Sequence, residues 1–141
     1  MGNGDFETTL SGWVATNGAS ITRVTGGSSG SWSARVAAPA GVAVGIDDAP
    51  NWQPVTVAGT TCVASAWVRS TLGTSVAIEL REVSGLNEIG AATSAVMVPS
   101  SAWHYLAVSR PVQVAGSSID LRIIGGAGVP LQVDGLSEHC G

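Results

Sequence analysis

Alternation of apolar and polar residues with period two runs through this chain, and helical spacing almost never does. In CVASAWVR, residues Cys62, Ala64, Ala66 and Val68 fall on one side of a strand, and Val63, Ser65, Trp67 and Arg69 on the other. VAIELR repeats the split with Val76, Ile78 and Leu80 against Ala77, Glu79 and Arg81, and SIDLRII with Ile119, Leu121 and Ile123 against Asp120 and Arg122. Further runs at 21–25, 34–37, 55–57, in WHYLAVSR and in PLQVDGLSE are separated by Gly, Ser, Pro and Asn clusters such as VAGSS and GGAGVP. NEIGAATSAV holds Gly90 and reads as strand or loop rather than helix, whereas Asp47-Asp48 ahead of Pro50 reads as loop. The expectation is an all-β protein of about eight or nine strands, folded as a two-sheet β-sandwich of the jelly-roll kind.

Residues 1–141 are expected to form one such domain, long enough for a real core. With 45% hydrophobic and 11% charged residues the composition is the reverse of a disordered chain's. No apolar run approaches the roughly 18 residues of a membrane span. All six basic residues are arginines and the formal net charge is −4, so no electrostatic footprint for nucleic acid or an anionic membrane is expected. Nothing after Met1-Gly2 has the charged and apolar regions of an export signal, which would have been removed before this sequence begins. Cys62 and Cys140 are too far apart to make a metal site by spacing alone. They are either two inert thiols or, as favoured here, a disulfide closing a 78-residue separation and implying an oxidising compartment.

The last run breaks its own rhythm. Leu131 and Val133 share one parity and Leu136 has the other, so burying all three requires an extra residue near Asp134-Gly135, a bulge that re-aims Asp134. If the three charged strands are neighbours, their far sides build one polar surface holding Trp67, Arg69, Glu79, Arg81, Asp120 and Arg122. Catalysis finds little support: His104 and His139 are the only histidines, and GxSxG, HExxH, CxxC and GxxxxGK[ST] are absent. Asp47 and Asp48 are adjacent and point apart, whereas a glycosidase's two carboxylates face each other across a bond. A non-enzyme is expected.

NGDFE near the start, Gly12-Trp13, SSGSWSARV, WQPVTVAGTTCVASAWVRS, SAWHYLAV and the closing LQVDGLS, in that order, resemble the carbohydrate-binding modules of the family 4, 9 and 22 type. The resemblance implies a galactose-binding-domain-like jelly roll, attached to a secreted polysaccharide-acting enzyme, with a structural calcium pinning the N-terminal segment to the last strand. Carried onto this chain, Glu7 and Asp134 would supply carboxylates, and Asp5 and the loop around Ser31 backbone oxygens. Calcium accepts such a set of hard oxygens. Phe6 would point into the core while Glu7 points to the ion. Gly135 departs from the pattern, standing where many relatives carry a second acid.

Sugar binders stack flat rings on pyranose faces while polar groups take the hydroxyls. Trp13 and Trp103 match packing positions of the family, Trp32 would shield the ion, and Trp52 would either stack on a ligand or seal the end of the sandwich. Trp67 is the expected platform, with Arg69, Glu79, Arg81 and Arg122 as hydrogen-bonding partners that also suit uronates. The expected partner is a plant or microbial polysaccharide or oligosaccharide. The alternative is a structural or adhesive sandwich of a cell-surface or phage tail protein without sugar binding.

Overall fold

A computed structural model describes residues 3–16, 18–94, 96 and 100–141. Alternating runs become strands β1 (Trp13–Ala15), β2 (Ser20–Thr25), β3 (Trp32–Ala37), β4 (Ala43–Asp48), β5 (Thr61–Arg69), β6 (Val76–Ser84), β7 (Asn87–Thr93), β8 (His104–Pro111), β9 (Ser118–Ala127) and β10 (Leu131–Cys140). They form two five-stranded antiparallel sheets, in the order β1-β4-β9-β6-β7 (sheet one) and β2-β3-β10-β5-β8 (sheet two). The chain is therefore an all-β jelly-roll sandwich. Two details differ from the sequence reading. Asp47-Asp48 ends strand β4 instead of lying in a loop, and residues 55–57 form no strand. In that triplet Thr56 is the buried member, its N–H bonded to the Ser117 carbonyl, while Val55 and Val57 stay exposed.

Strand parity predicts the core. Cys62, Ala64, Ala66 and Val68 of β5 face Ile78 and Leu80 of β6 and Ile119, Leu121 and Ile123 of β9 across the interior, all fully buried. Fully burying a valine, leucine or isoleucine side chain contributes about 1.5–3 kcal/mol. Cys62 and Cys140 are bridged, joining directly paired positions of β5 and β10. Such bridges belong to oxidising compartments.

The buried carboxylate of Glu82 on β6 ties the sheets together at one edge. Its oxygens accept hydrogen bonds from the Arg110 guanidinium of β8 (3.0 Å), the N–H groups of Gln113 and Val114 (3.0 and 2.9 Å) and the Ser117 hydroxyl (3.0 Å). Gly90 makes room for the arginine: a Cβ there would come within 2.7 Å of its Nη2. Burial opposes ionisation of Glu82, but these donors outweigh it and hold its pKa below the ordinary 4.5.

Strand β10 carries the expected bulge. Asp134 pairs with Trp67 and Ser137 with Ser65, so two residues of β10 oppose the single Ala66 of β5. Gly135 takes a φ of +57°, and Leu131, Val133 and Leu136 are all buried in consequence. Leu136 then donates its N–H to the carbonyl of Gly4 at 3.0 Å, fastening the N-terminal segment alongside.

Replacing Glu82 by Gln leaves Arg110 without its buried counter-charge and is expected to cost about 3–5 kcal/mol in denaturant unfolding. Because folding favours ionised Glu82, its contribution is complete above pH 4.5 and fades as pH falls through the lowered folded value. The gap between wild type and Glu82→Gln should therefore shrink in acid. A second substitution, Gly135→Ala, forces a side chain into the left-handed region 3.1 Å from Trp67 Cδ1 and is expected to cost about 1–2 kcal/mol by the same measurement.

Candidate functional site: two outer faces and an oxygen-lined loop

The six residues expected on one polar surface divide between two. Strand β5 lies in sheet two and strands β6 and β9 in sheet one, so Trp67 and Arg69 face outward on the opposite side of the molecule from Glu79, Arg81, Asp120 and Arg122. Alternation sets which side of its strand a residue takes. It carries no information on which strands share a sheet.

On sheet one the charges pair with one another. Arg81 donates through Nε to Asp120 Oδ2 at 2.8 Å and lies 3.7 Å from Glu88 and 3.9 Å from Glu79. Arg122 Nε sits 3.1 Å from Asp120 and 3.5 Å from Asp47. Burial works against ionised Asp120, yet its neighbours, the two arginines among them, hold its pKa below the ordinary carboxylate value. Burial, then the interaction with Asp120, pushes Asp47 up to about 7 against the pull of Arg122. Asp47, Asp48 and Asp120 each offer a carboxylate oxygen within 4.8 Å of the others, an arrangement able to hold a metal ion. Among the described residues no aromatic side chain lies on this outer face, since the sheet's single aromatic, Trp13, is buried.

Sheet two presents the aromatic face. Trp67 and Tyr105 are directly paired across β5 and β8, with ring centroids 5.3 Å apart, and remain 39% and 54% exposed. Beside them the Arg69 guanidinium lies 4.5 Å over the Trp103 ring and donates from Nε to Gln132 Oε1 at 2.7 Å. Register continues the row through Gln132 to Arg35 on β3, and a depression of about 270 Å³ opens among Arg35, Arg69, Gln132, Val24 and Pro130. Trp103 is therefore a partly buried rim residue. Tyr105 was missed, although alternation marks it: Leu106 points inward, so Tyr105 and Ala107 point out.

Trp13 fills the core as expected, its Nε1 donating to the Asn3 carbonyl at 2.8 Å. Trp52 packs edge-on against Trp13, ring centroids 5.0 Å apart, and closes one end of the sandwich. Trp32 lies beneath the Arg23 guanidinium, 3.9 Å from its ring centroid, and Arg23 in turn donates to the carbonyls of Phe6 and Glu7.

Glu7 and Asp134 meet one loop. Glu7 Oε1 accepts the N–H groups of Ser31 and Trp32, both at 2.9 Å. Asp134 Oδ2 accepts the Ser28 N–H at 2.7 Å and hydroxyl at 2.9 Å, with the Ser29 N–H at 3.3 Å. Phe6 between Asp5 and Glu7 is fully buried with a φ of +53°, which turns the chain so that Glu7 reaches the loop while Asp5 stays exposed. A Cβ on Gly27 would come within 2.6 Å of the Ser29 and Trp32 carbonyl oxygens and 2.9 Å of Asp134 Oδ2. Only glycine leaves this oxygen-lined cradle open, and its donor set is the one a hard cation takes.

No family model and no curated protein matches the sequence. Solved structures match along nearly its whole length. The CBM22-1 and GH10 modules of Clostridium thermocellum endo-1,4-beta-D-xylanase 10B, complexed with xylohexaose, superpose with a TM-score of 0.77 at 17% identity, covering 95% of this chain and 27% of that one. The CBM22-1 xylan-binding domain of Paenibacillus barcinonensis Xyn10C gives 0.76 at 16% identity, covering 95% and 88%. A cyclase from Fischerella sp. TAU, in complex with 4-(1H-indol-3-yl)butan-2-one, gives 0.70 at 13% identity, covering 95% and 87%. The chain thus has the jelly-roll fold of the family 22 carbohydrate-binding modules, a fold that also occurs in a cyclase.

Proposed function

We propose that this domain is a non-catalytic carbohydrate-binding module that recognises a plant or microbial polysaccharide through the outer face of sheet two and holds an attached secreted enzyme near it. The observation that carries this reading is the exposed Trp67–Tyr105 pair beside Arg69 and Trp103. Two adjacent rings can stack on successive pyranoses, and Arg69, Gln132 and Arg35 supply donors for hydroxyls or a uronate. Glu79, Arg81 and Arg122 lie on the other face and cannot touch the same chain segment. The described neighbours bound to xylohexaose or named as xylan-binding make xylan the first ligand to try. A binder is favoured over an enzyme because the aromatic face offers stacking and hydrogen bonds without an opposed carboxylate pair. Micromolar to millimolar affinity, about 4–8 kcal/mol, suffices for a module whose role is to raise local concentration.

A structural calcium belongs to the same proposal. Glu7 and Asp134 would hold it with carbonyl oxygens of the segment around Ser31 and of Asp5. Bound there, it neutralises two carboxylates aimed at one loop and fastens the start of the chain to its last strand.

Affinity electrophoresis on xylan, β-glucan, mannan and alginate tests the face. Trp67→Ala and Tyr105→Ala are each expected to weaken binding roughly tenfold or more, whereas Glu79→Ala, on the far sheet, should leave mobility unchanged. The reverse pattern would move the site to sheet one. For the ion, a chelator is expected to lower the melting temperature, since calcium at a hundredfold excess over its Kd stabilises by about 2.7 kcal/mol. Asp134→Asn should remove the part of that sensitivity that belongs to this loop, and a melting curve indifferent to chelator in the wild type would remove the calcium from this account.

A further inference from the structure

At the end of the sandwich closed by Trp52, each sheet turns a carboxylate inward, Asp48 bonded to the Trp52 N–H and Glu138 lining a cavity with the Trp52 ring. Asp48, the last residue of β4, continues the inward side of Val44 and Ile46 and is 2% exposed. Its Oδ1 accepts the Leu121 N–H at 2.9 Å and its Oδ2 the Trp52 N–H at 2.8 Å. Behind it stand Asp47 and Asp120, all three offering oxygens within 4.8 Å of one another. From the other sheet comes Glu138 on β10. It pairs with buried Ala64 and lies beyond the bulge on the side of Leu136 and Cys140, which turns its side chain into the space between the sheets.

Glu138 is the anomaly of the molecule. It is 6% exposed, and neither of its oxygens has a hydrogen-bond partner among the described residues. Leaving a buried carboxylate unpaired costs far more than leaving a neutral polar group so. Burial, and after it the charges of Asp48 and Asp120, push its pKa up to about 8. The arginines that serve this cluster, Arg81 and Arg122, reach Asp120 and Asp47 from the outer face. Among the described residues none pairs with Asp48 or Glu138. Four carboxylates therefore share two cations. A cavity of about 230 Å³, lined by Trp52, Gln53, Glu138, His139 and Cys140, leads to the unpaired group.

We propose that Asp48 and Glu138, backed by Asp120 and Asp47, form a binding site for a hard divalent cation of the calcium class between the two sheets. An oxygen-only donor set selects calcium, magnesium or manganese over the metals that seek sulfur or nitrogen. Calcium suits it best, because it tolerates irregular geometry and takes part of its shell from water, which the cavity admits. The ion offsets the surplus of negative charge that the four carboxylates carry when ionised and joins β4 to β10 beside the Cys62–Cys140 bridge. This site is independent of the one at Glu7 and Asp134, which lies on the outer side of β10.

The two sites have different reporters. Manganese added to the isotope-labelled, chelator-stripped wild-type chain should broaden the amide signals of Trp52 and Leu121, both bonded to Asp48, and the Trp52 indole N–H. The loop site would instead broaden Ser28, Ser29, Ser31 and Trp32. In calcium equilibrium dialysis, Glu138→Gln and Asp48→Asn should each bind one ion fewer per chain than wild type, while Asp134→Asn keeps the ion described here. Sharp Trp52 and Leu121 signals at saturating manganese would overturn the proposal, whatever the loop signals do. So would a folded Glu138→Gln chain that binds as many calcium ions as wild type with unchanged affinity.

Discussion

The last strand of the chain lies in the middle of a sheet, and the rest of the structure depends on its being bulged there. β10 pairs with β3 on one side and β5 on the other. Its inward residues must meet the core on both sides of Asp134-Gly135. One extra residue, made possible by the left-handed glycine, puts Leu131 and Val133 inward before the bulge and Leu136, Glu138 and Cys140 inward after it. Without that shift, every side chain beyond Gly135 would turn to the opposite face. The disulfide would have no partner, and Glu138 would be an ordinary surface acid. The bulge also frees the Leu136 N–H for the Gly4 carbonyl, so the two ends of the chain are ordered together.

The sandwich divides its chemistry by sheet. The outer side of sheet one is a charge network in which Arg81 and Arg122 are engaged by Asp120, Asp47, Glu79 and Glu88. Such cross-strand pairs stabilise modestly and leave few free donors. The outer side of sheet two leaves Trp67 and Tyr105 uncovered side by side. The interior holds two buried glutamates in opposite states. Glu82 is saturated by donors and bolts one edge, whereas Glu138 is unsatisfied and marks the opposite situation.

Much of this was legible in the residues. Parity alone assigned the buried sides of β5, β6 and β9, because a side chain's face is set by a local period that no distant contact can change. The mismatch of Leu136 with Val133 announced the bulge for the same reason. Tyr105 is equally readable, because Leu106 beside it points inward. The grouping of Trp67 with Arg81 and Arg122 failed for a different cause. Strand pairing is a long-range choice, and β5 joins β10 and β8 rather than its sequence neighbour β6.

The sequence by itself determined the class of fold, the inward and outward side of each strong strand, the need for a glycine bulge near the C-terminus and the pairing available to two cysteines. These follow from alternation, turn chemistry and residue counts, all of them local properties. Only the tertiary structure decided which outward residues share a face and that Glu7 and Asp134 meet on one loop. It also decided that Asp48 and Glu138, 90 positions apart, are both buried between the two sheets. Those outcomes depend on which strands lie beside or across from one another, a free-energy choice made by the whole core at once, and no short stretch of the chain encodes it.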